Sequence, residues 1–210
     1  PQMRSAIIAC LVLIAVIAGL AACGKSTDVT TASISTPTTP IDTSSPVDGD
    51  WLVQRLSDEP AHLNPLTATD AYSSAINALI FDGLIERDNE TMQYKSNAAE
   101  SWEISDDHLT YTFHLRKDVV FSDGEPLTAK DVKFTFDKVM DPTTDAAHLR
   151  NYYQDVLNCE VVDDYTVRFT CSQPYFKHLA MLGELGIMPQ HIYSQGDFNS
   201  CPYNRKPVGS

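Results

Sequence analysis

Between Leu109 and Lys117, apolar and polar side chains alternate: Tyr111, Phe113 and Leu115 against Thr110, Thr112, His114 and Arg116. A period of two predicts a strand with one face buried. Asp123-Gly124 predicts a turn, because Gly accepts backbone angles that other residues resist. The period then changes. Ala129, Val132, Phe136, Val139 and Met140 fall on one face of a helix. Thr128, three residues before Asp131, reads as a capping box with Asp in the place of Glu or Gln. Asp141-Pro142 closes the helix, since Pro cannot continue it and restricts the residue before it. Strand, turn and capped helix make a scaffold, and none of these side chains looks catalytic.

The flanking pattern is less regular. Trp51 to Leu56 predicts an opening strand, and Leu63-Asn64-Pro65-Leu66 a turn. Asp70 predicts the cap of a helix over Ala71 to Asp82, with Ile76, Leu79 and Ile80 as its apolar stripe and Gly83 as its stop. A loop runs from Asp141 to Asn151. Residues 161–167, between Cys159 and Cys171, read as a hairpin. Pro174 opens another helix with Phe176, Leu179, Ala180, Leu182 and Leu185 inside. No internal repeats occur.

The front of the chain carries a different pattern. Arg4 precedes an apolar run from Ala6 to Leu20 that ends in Leu20-Ala21-Ala22-Cys23. A positive start, a short apolar stretch and small residues describe a secretory signal peptide over 1–22. The run is shorter than the roughly 20 residues a membrane-spanning helix needs. Leu-Ala-Ala-Cys resembles a lipobox, which implies that Cys23 becomes the first mature residue and carries lipid on its thiol and amine. Several acyl chains hold a protein on a bilayer where one is marginal. The alternatives are an ordinary signal peptide cut near Ala22 and an uncut anchor. Met3 is the expected start. Residues 23–50 are rich in Ser, Thr, Pro and Asp and read as a flexible tether, with too few apolar groups to offset chain entropy. What remains, about 160 residues, suffices for one good core or two small ones.

Three stretches, in order, resemble one family: Ala98-Ala-Glu-Ser-Trp102; the strand ending Leu115-Arg116-Lys117; and Phe121-Ser-Asp-Gly-Glu-Pro-Leu-Thr-Ala-Lys-Asp-Val132. They are similar to the signature region of extracellular solute-binding proteins of the oligopeptide/dipeptide type, family 5. Leu63-Asn64-Pro65, Leu84 to Asp88 and Ile187 to Ile192 resemble further elements of that family. The resemblance implies an α/β fold of the type II periplasmic-binding-protein kind, a two-lobe clamshell with an extra α/β subdomain. It assigns 51–80 to the first lobe, 81–203 to the extra subdomain and 204–210 to the return into the first lobe. By the same resemblance the chain is an amino-terminal fragment, less than half of a normal member, without the hinge and second lobe.

Charge and cysteine content narrow the chemistry. A formal net charge of −13 argues against nucleic acid as a partner, since no basic stripe exists to neutralise phosphates. Five Cys are present. In an oxidising compartment a Cys159–Cys171 disulfide is one outcome; three buried thiols, or pairing with Cys201, are the others. The six His show no metal-ligand spacing, and no Gly-x-Ser-x-Gly elbow or phosphate-cradling loop occurs.

The resemblance implies a binding protein and not an enzyme, with no cofactor and no metal. It implies a ligand-contacting loop at Thr69, Asp70, Ala71, Tyr72 and Ser73. The same residues read equally as helix capping by Asp70 beside a surface Tyr72. It places a second contact in the loop at His148, where the family often carries an aromatic residue, so His148 departs from the pattern. The expected partners are a short peptide, the permease subunits of an ABC importer and the membrane, through the lipid anchor. A monomer on the outer face of the cytoplasmic membrane is expected. The rival readings are a surface ligand-sensing receptor of the same fold, a binder of nickel complexes or oligosaccharides, and a secreted hydrolase lipoprotein.

Overall fold

The computed structural model describes residues 54–210. The signal peptide, Cys23, the tether and Trp51–Val53 lie outside the described residues. Gln54–Leu56, the rest of the expected opening strand, has no regular structure.

The centre is a four-stranded antiparallel sheet in the order β3-β4-β6-β5. The strands are β3 (Ala99–Ile104), β4 (Thr110–Leu115), β5 (Val156–Asp163) and β6 (Thr166–Cys171). The alternation of β4 is borne out: Tyr111, Phe113 and Leu115 are buried, and their neighbours are half-buried. β6 repeats it with Val167, Phe169 and Cys171 inward. Residues 163–166 form the expected hairpin turn, with Asp163 opposite Thr166 and the Tyr165 N–H donating to the Asp163 carboxylate at 2.8 Å. β1 (Ile85–Arg87) and β2 (Tyr94–Ser96) form a separate two-stranded ribbon.

Helix α2 (Ala129–Met140) lies across β5 and β6. Its apolar face is the expected one: Ala129, Val132, Phe136 and Val139 are buried. Phe136 meets Phe169 edge-on at 5.7 Å, and Phe169 meets Phe113 at 6.0 Å. Each such ring contributes about 1.5–3 kcal/mol by leaving water. The capping box forms with Asp131, which accepts from the Thr128 N–H at 2.9 Å and the Thr128 hydroxyl at 2.8 Å. Gly124 holds the predicted turn with φ of +94°, a region that suits Gly.

Two helices differ from expectation. Helix α1 covers only Ala71–Asn77. Its last turn tightens, with Leu79 N–H donating to Ile76 and Ile80 N–H to Asn77, so the chain swings Phe81 and Leu84 into the core. The buried side chains of α1 are Ser73 and Asn77, and Leu79 is 84% exposed. Gly83 serves a close approach and not a helix stop: a Cβ there would come within 2.6 Å of the Gly183 carbonyl. Helix α4 (His178–Gly183) begins later than Pro174, which leaves Phe176 84% exposed instead of inside. Short helices α3 (Ala147–Arg150) and α5 (Gln190–Tyr193) complete the fold.

The Cys159–Cys171 disulfide does not form; Cys159, Cys171 and Cys201 are free and buried. Strand register explains this. Cys159 stands opposite Phe169, and Cys171 opposite Val156. Diagonal neighbours on a sheet lie about 7–8 Å apart, beyond ordinary disulfide reach. Burial also pushes the Cys159 thiol up to about 12 and the Cys171 thiol up to about 11, so neither supplies the thiolate that exchange requires.

Candidate functional site

The first segment singled out in the sequence is set in place by an asparagine pair. Asn64 is fully buried; its Oδ1 accepts from the Leu66 N–H at 3.0 Å, and its Nδ2 donates to Asn204 Oδ1 at 3.0 Å. The Leu63 N–H adds a 2.6 Å bond to the Asn204 carbonyl. This clamp fixes the direction in which residues 67–70 leave the turn. Asp70 then caps α1: its Oδ1 accepts from the Ser73 N–H at 2.7 Å, and its Oδ2 from the Ser73 hydroxyl at 2.5 Å. The Ser73 hydroxyl, then the Ser73 N–H, hold the Asp70 carboxyl below the usual carboxylate range. Both of its oxygens are therefore engaged with its own helix. Thr69 and Ala71 are exposed, Tyr72 is half-buried and Ser73 is buried.

The second segment hangs from the end of α2. Arg150 donates to three carbonyls there: Val139 at 3.0 Å through Nε, and Asp141 at 2.6 Å and Thr144 at 2.9 Å through Nη2. A cation at a helix C-terminus also suits the helix dipole. The result is a braced loop that presents His148 to solvent, tucks Leu149 against the core and leaves Tyr152 61% exposed. Tyr153 turns inward and donates to the Met181 carbonyl at 2.6 Å. Burial pushes its phenol up.

Two concavities lie beside these segments. A groove of about 760 Å³ is walled by Ser74 and Asn77 of α1 with Ala78 just beyond it, by Leu149, Tyr152 and Tyr153, and by Phe176, Ala180 and Met181 around α4. A smaller depression of about 440 Å³ is lined by His62, Thr67, Asp145, Asn199 and Arg205 among others. The groove is within the 300–1,000 Å³ typical of ligand sites, and its mix of apolar walls and few polar groups fits them too. Thr69–Ser73 and His148 flank these concavities without lining them.

Asn77, Tyr152 and Phe176 do line the groove, and sequence reasoning passed over them. A signal existed for Asn77: Ser73 and Asn77 are four residues apart, the spacing of one helix face. Asn77 is 5% exposed, and neither atom of its amide has a partner among the described residues. Leaving such a group unmatched costs about 1–3 kcal/mol.

Comparison with known proteins agrees with this architecture. The sequence profile described as "Bacterial extracellular solute-binding proteins, family 5 Middle" matches residues 93–210. Protein XP55 of Streptomyces lividans is 38% identical over 155 residues, 74% of this chain and 28% of that protein. The glutathione-binding protein GsiB of Escherichia coli K12 is 37% identical over 122 residues, 57% of this chain and 23% of that protein. The chain thus spans about a quarter of the length of these curated relatives. Among solved structures, OppA of Haemophilus influenzae in complex with the peptide RPPGFSPFR superposes with a TM-score of 0.64 at 30% identity, over 72% of this chain and 33% of OppA.

Proposed function

Because the chain belongs to the bacterial extracellular solute-binding proteins of family 5, we propose that it is the ligand-capturing part of an ABC importer. Its cargo is a short peptide, taken up outside the cytoplasmic membrane and handed to the permease. No bond is made or broken. The observation that carries the reading is the match over residues 93–210, which builds the same fold as a protein holding a peptide.

The geometry suits capture. Proteins of this architecture close two lobes around a ligand and exclude water. Peptide main chain pairs with protein backbone much as an added strand does, and water fills the remaining space. On this reading the described residues form one wall, with Thr69–Ser73 and the His148 loop at its rim. The bonds from the Leu63 N–H to the Asn204 carbonyl and from Asn64 Nδ2 to Asn204 Oδ1 support assigning 51–80 and 204–210 to one lobe, with 81–203 as the appended subdomain. Cys23 as a lipid anchor and 23–50 as a tether complete the proposal.

Calorimetry on the intact protein with mixed di- to pentapeptides tests the binding step. Saturable binding without hydrolysis is expected, together with peptide uptake by cells that stops when the permease gene is deleted. Absence of binding to any peptide sinks the proposal. Binding with uptake indifferent to the permease assigns the protein to sensing instead.

A further inference from the structure

Resting on the peptide-capture reading, we infer that the groove between α1 and α4 receives a bulky apolar side chain of the bound peptide and so sets which peptides the protein prefers.

Three observations point to that occupant. The first is the wall chemistry. Phe81, Leu149 and Met181 line the groove, and Tyr152 and Phe176 stand over it with most of their surface in water. Large apolar groups gathered in one exposed place mark an interaction surface. The second is Asn77, which belongs to the same wall and whose buried amide has no partner among the described residues. A peptide group lying beside an entering side chain supplies both a donor and an acceptor once the side chains covering that amide part to admit it. The third is charge. Arg87, Lys177 and Glu184 line the groove, and none has an ion-pair partner among the described residues. A short peptide is a zwitterion, so a groove offering both signs above an apolar floor complements it.

The other concavity lacks these features. The depression beside Thr67 has no large apolar wall; its lining is chiefly His62, Asp145, Asn199, Ser200 and Arg205. It suits main chain and water, which leaves the groove as the place for an apolar side chain.

The test uses the intact protein and alanine peptides of two to five residues, with one Phe or one Asp placed at each position in turn. At least one Phe peptide binds about tenfold or more tightly than its all-alanine parent, and no Asp peptide does. In the Tyr152→Ala/Phe176→Ala variant the Phe-to-Ala affinity ratio falls toward one. Separately, Phe176→Cys reacts readily with a maleimide in the free protein and is protected by the preferred peptide, measured against the unsubstituted protein. Equal affinity for all the peptides overturns this inference and leaves peptide capture standing. Binding of none overturns both. If Cys at position 176 is shielded before peptide is added, the protein's own chain fills the groove. If it stays reactive with peptide bound, the ligand lies elsewhere. Either result overturns the inference.

Discussion

His178 has none of its surface exposed and lies edge-on to Tyr111 at 5.9 Å and to Tyr175 at 5.4 Å. Neither ring nitrogen has a partner among the described residues. Burial lowers its pKa, against a smaller raising effect from Asp155. The unfolded chain therefore binds a proton more readily than the fold does near the ordinary histidine value of about 6.5. Stability is fully present above that value and falls as the pH drops below it toward the lowered folded pKa. His178→Phe is expected to flatten this dependence and to raise stability by about 1 kcal/mol at neutral pH, because two unpaired nitrogens are no longer buried. Urea melts of both proteins across pH 5–8 check it; parallel pH curves would refute it. Nothing in the sequence marked this histidine, since an unmatched ring is defined by what surrounds it. The cysteines teach the same lesson. Their spacing was visible, but the partner of each is set by the β5–β6 register, which puts Phe169 opposite Cys159 and Val156 opposite Cys171.

At the scale of elements, α2 is the most legible and also the most connected. Its apolar face and capping box were readable because both depend on neighbours within one turn or two. Its polar inner edge was not. Asp131 also accepts from the Gln190 N–H at 2.9 Å. The Thr135 hydroxyl donates to the Asp131 carbonyl at 2.8 Å and accepts from the Met188 N–H at 2.9 Å. These bonds tie the distant 187–190 segment to the helix. Thr135→Val keeps the shape and leaves the buried Met188 N–H without an acceptor, so a loss of about 1–3 kcal/mol is expected. Thermal or urea unfolding measures it, and a change within a few tenths of a kcal/mol would show that the bond carries little. The shorter helices were misread for a reason that also lies outside their own sequence. The turn after Asn77 leads into Gly83, and α4 ends at Gly183; the two glycines approach closely, a contact between segments one hundred residues apart.

For the whole molecule, the groove and its rim form a surface and not an enclosure, which agrees with a ligand held between two bodies. The 24–210 segment alone is expected to bind peptides far more weakly than the intact protein, or not at all. Calorimetry on the two side by side decides it, and equal affinities would show that this segment suffices. The carry-over from family resemblance named Thr69–Ser73 and His148, which flank the two concavities without lining them. It did not reach Asn77, Tyr152 or Phe176, whose part in the groove depends on α1, the braced 141–153 loop and α4 meeting in space.

Short-range pattern, then, decided the antiparallel strand β4, the Gly124 turn, the capped helix α2 and family membership, because alternation, capping and turn chemistry act between residues close along the chain. Tertiary structure decided the free thiols, the early end of α1, the isolation of His178 and the walls of the groove. Each of these depends on which distant side chains a residue meets once the chain has folded, and no local period encodes that.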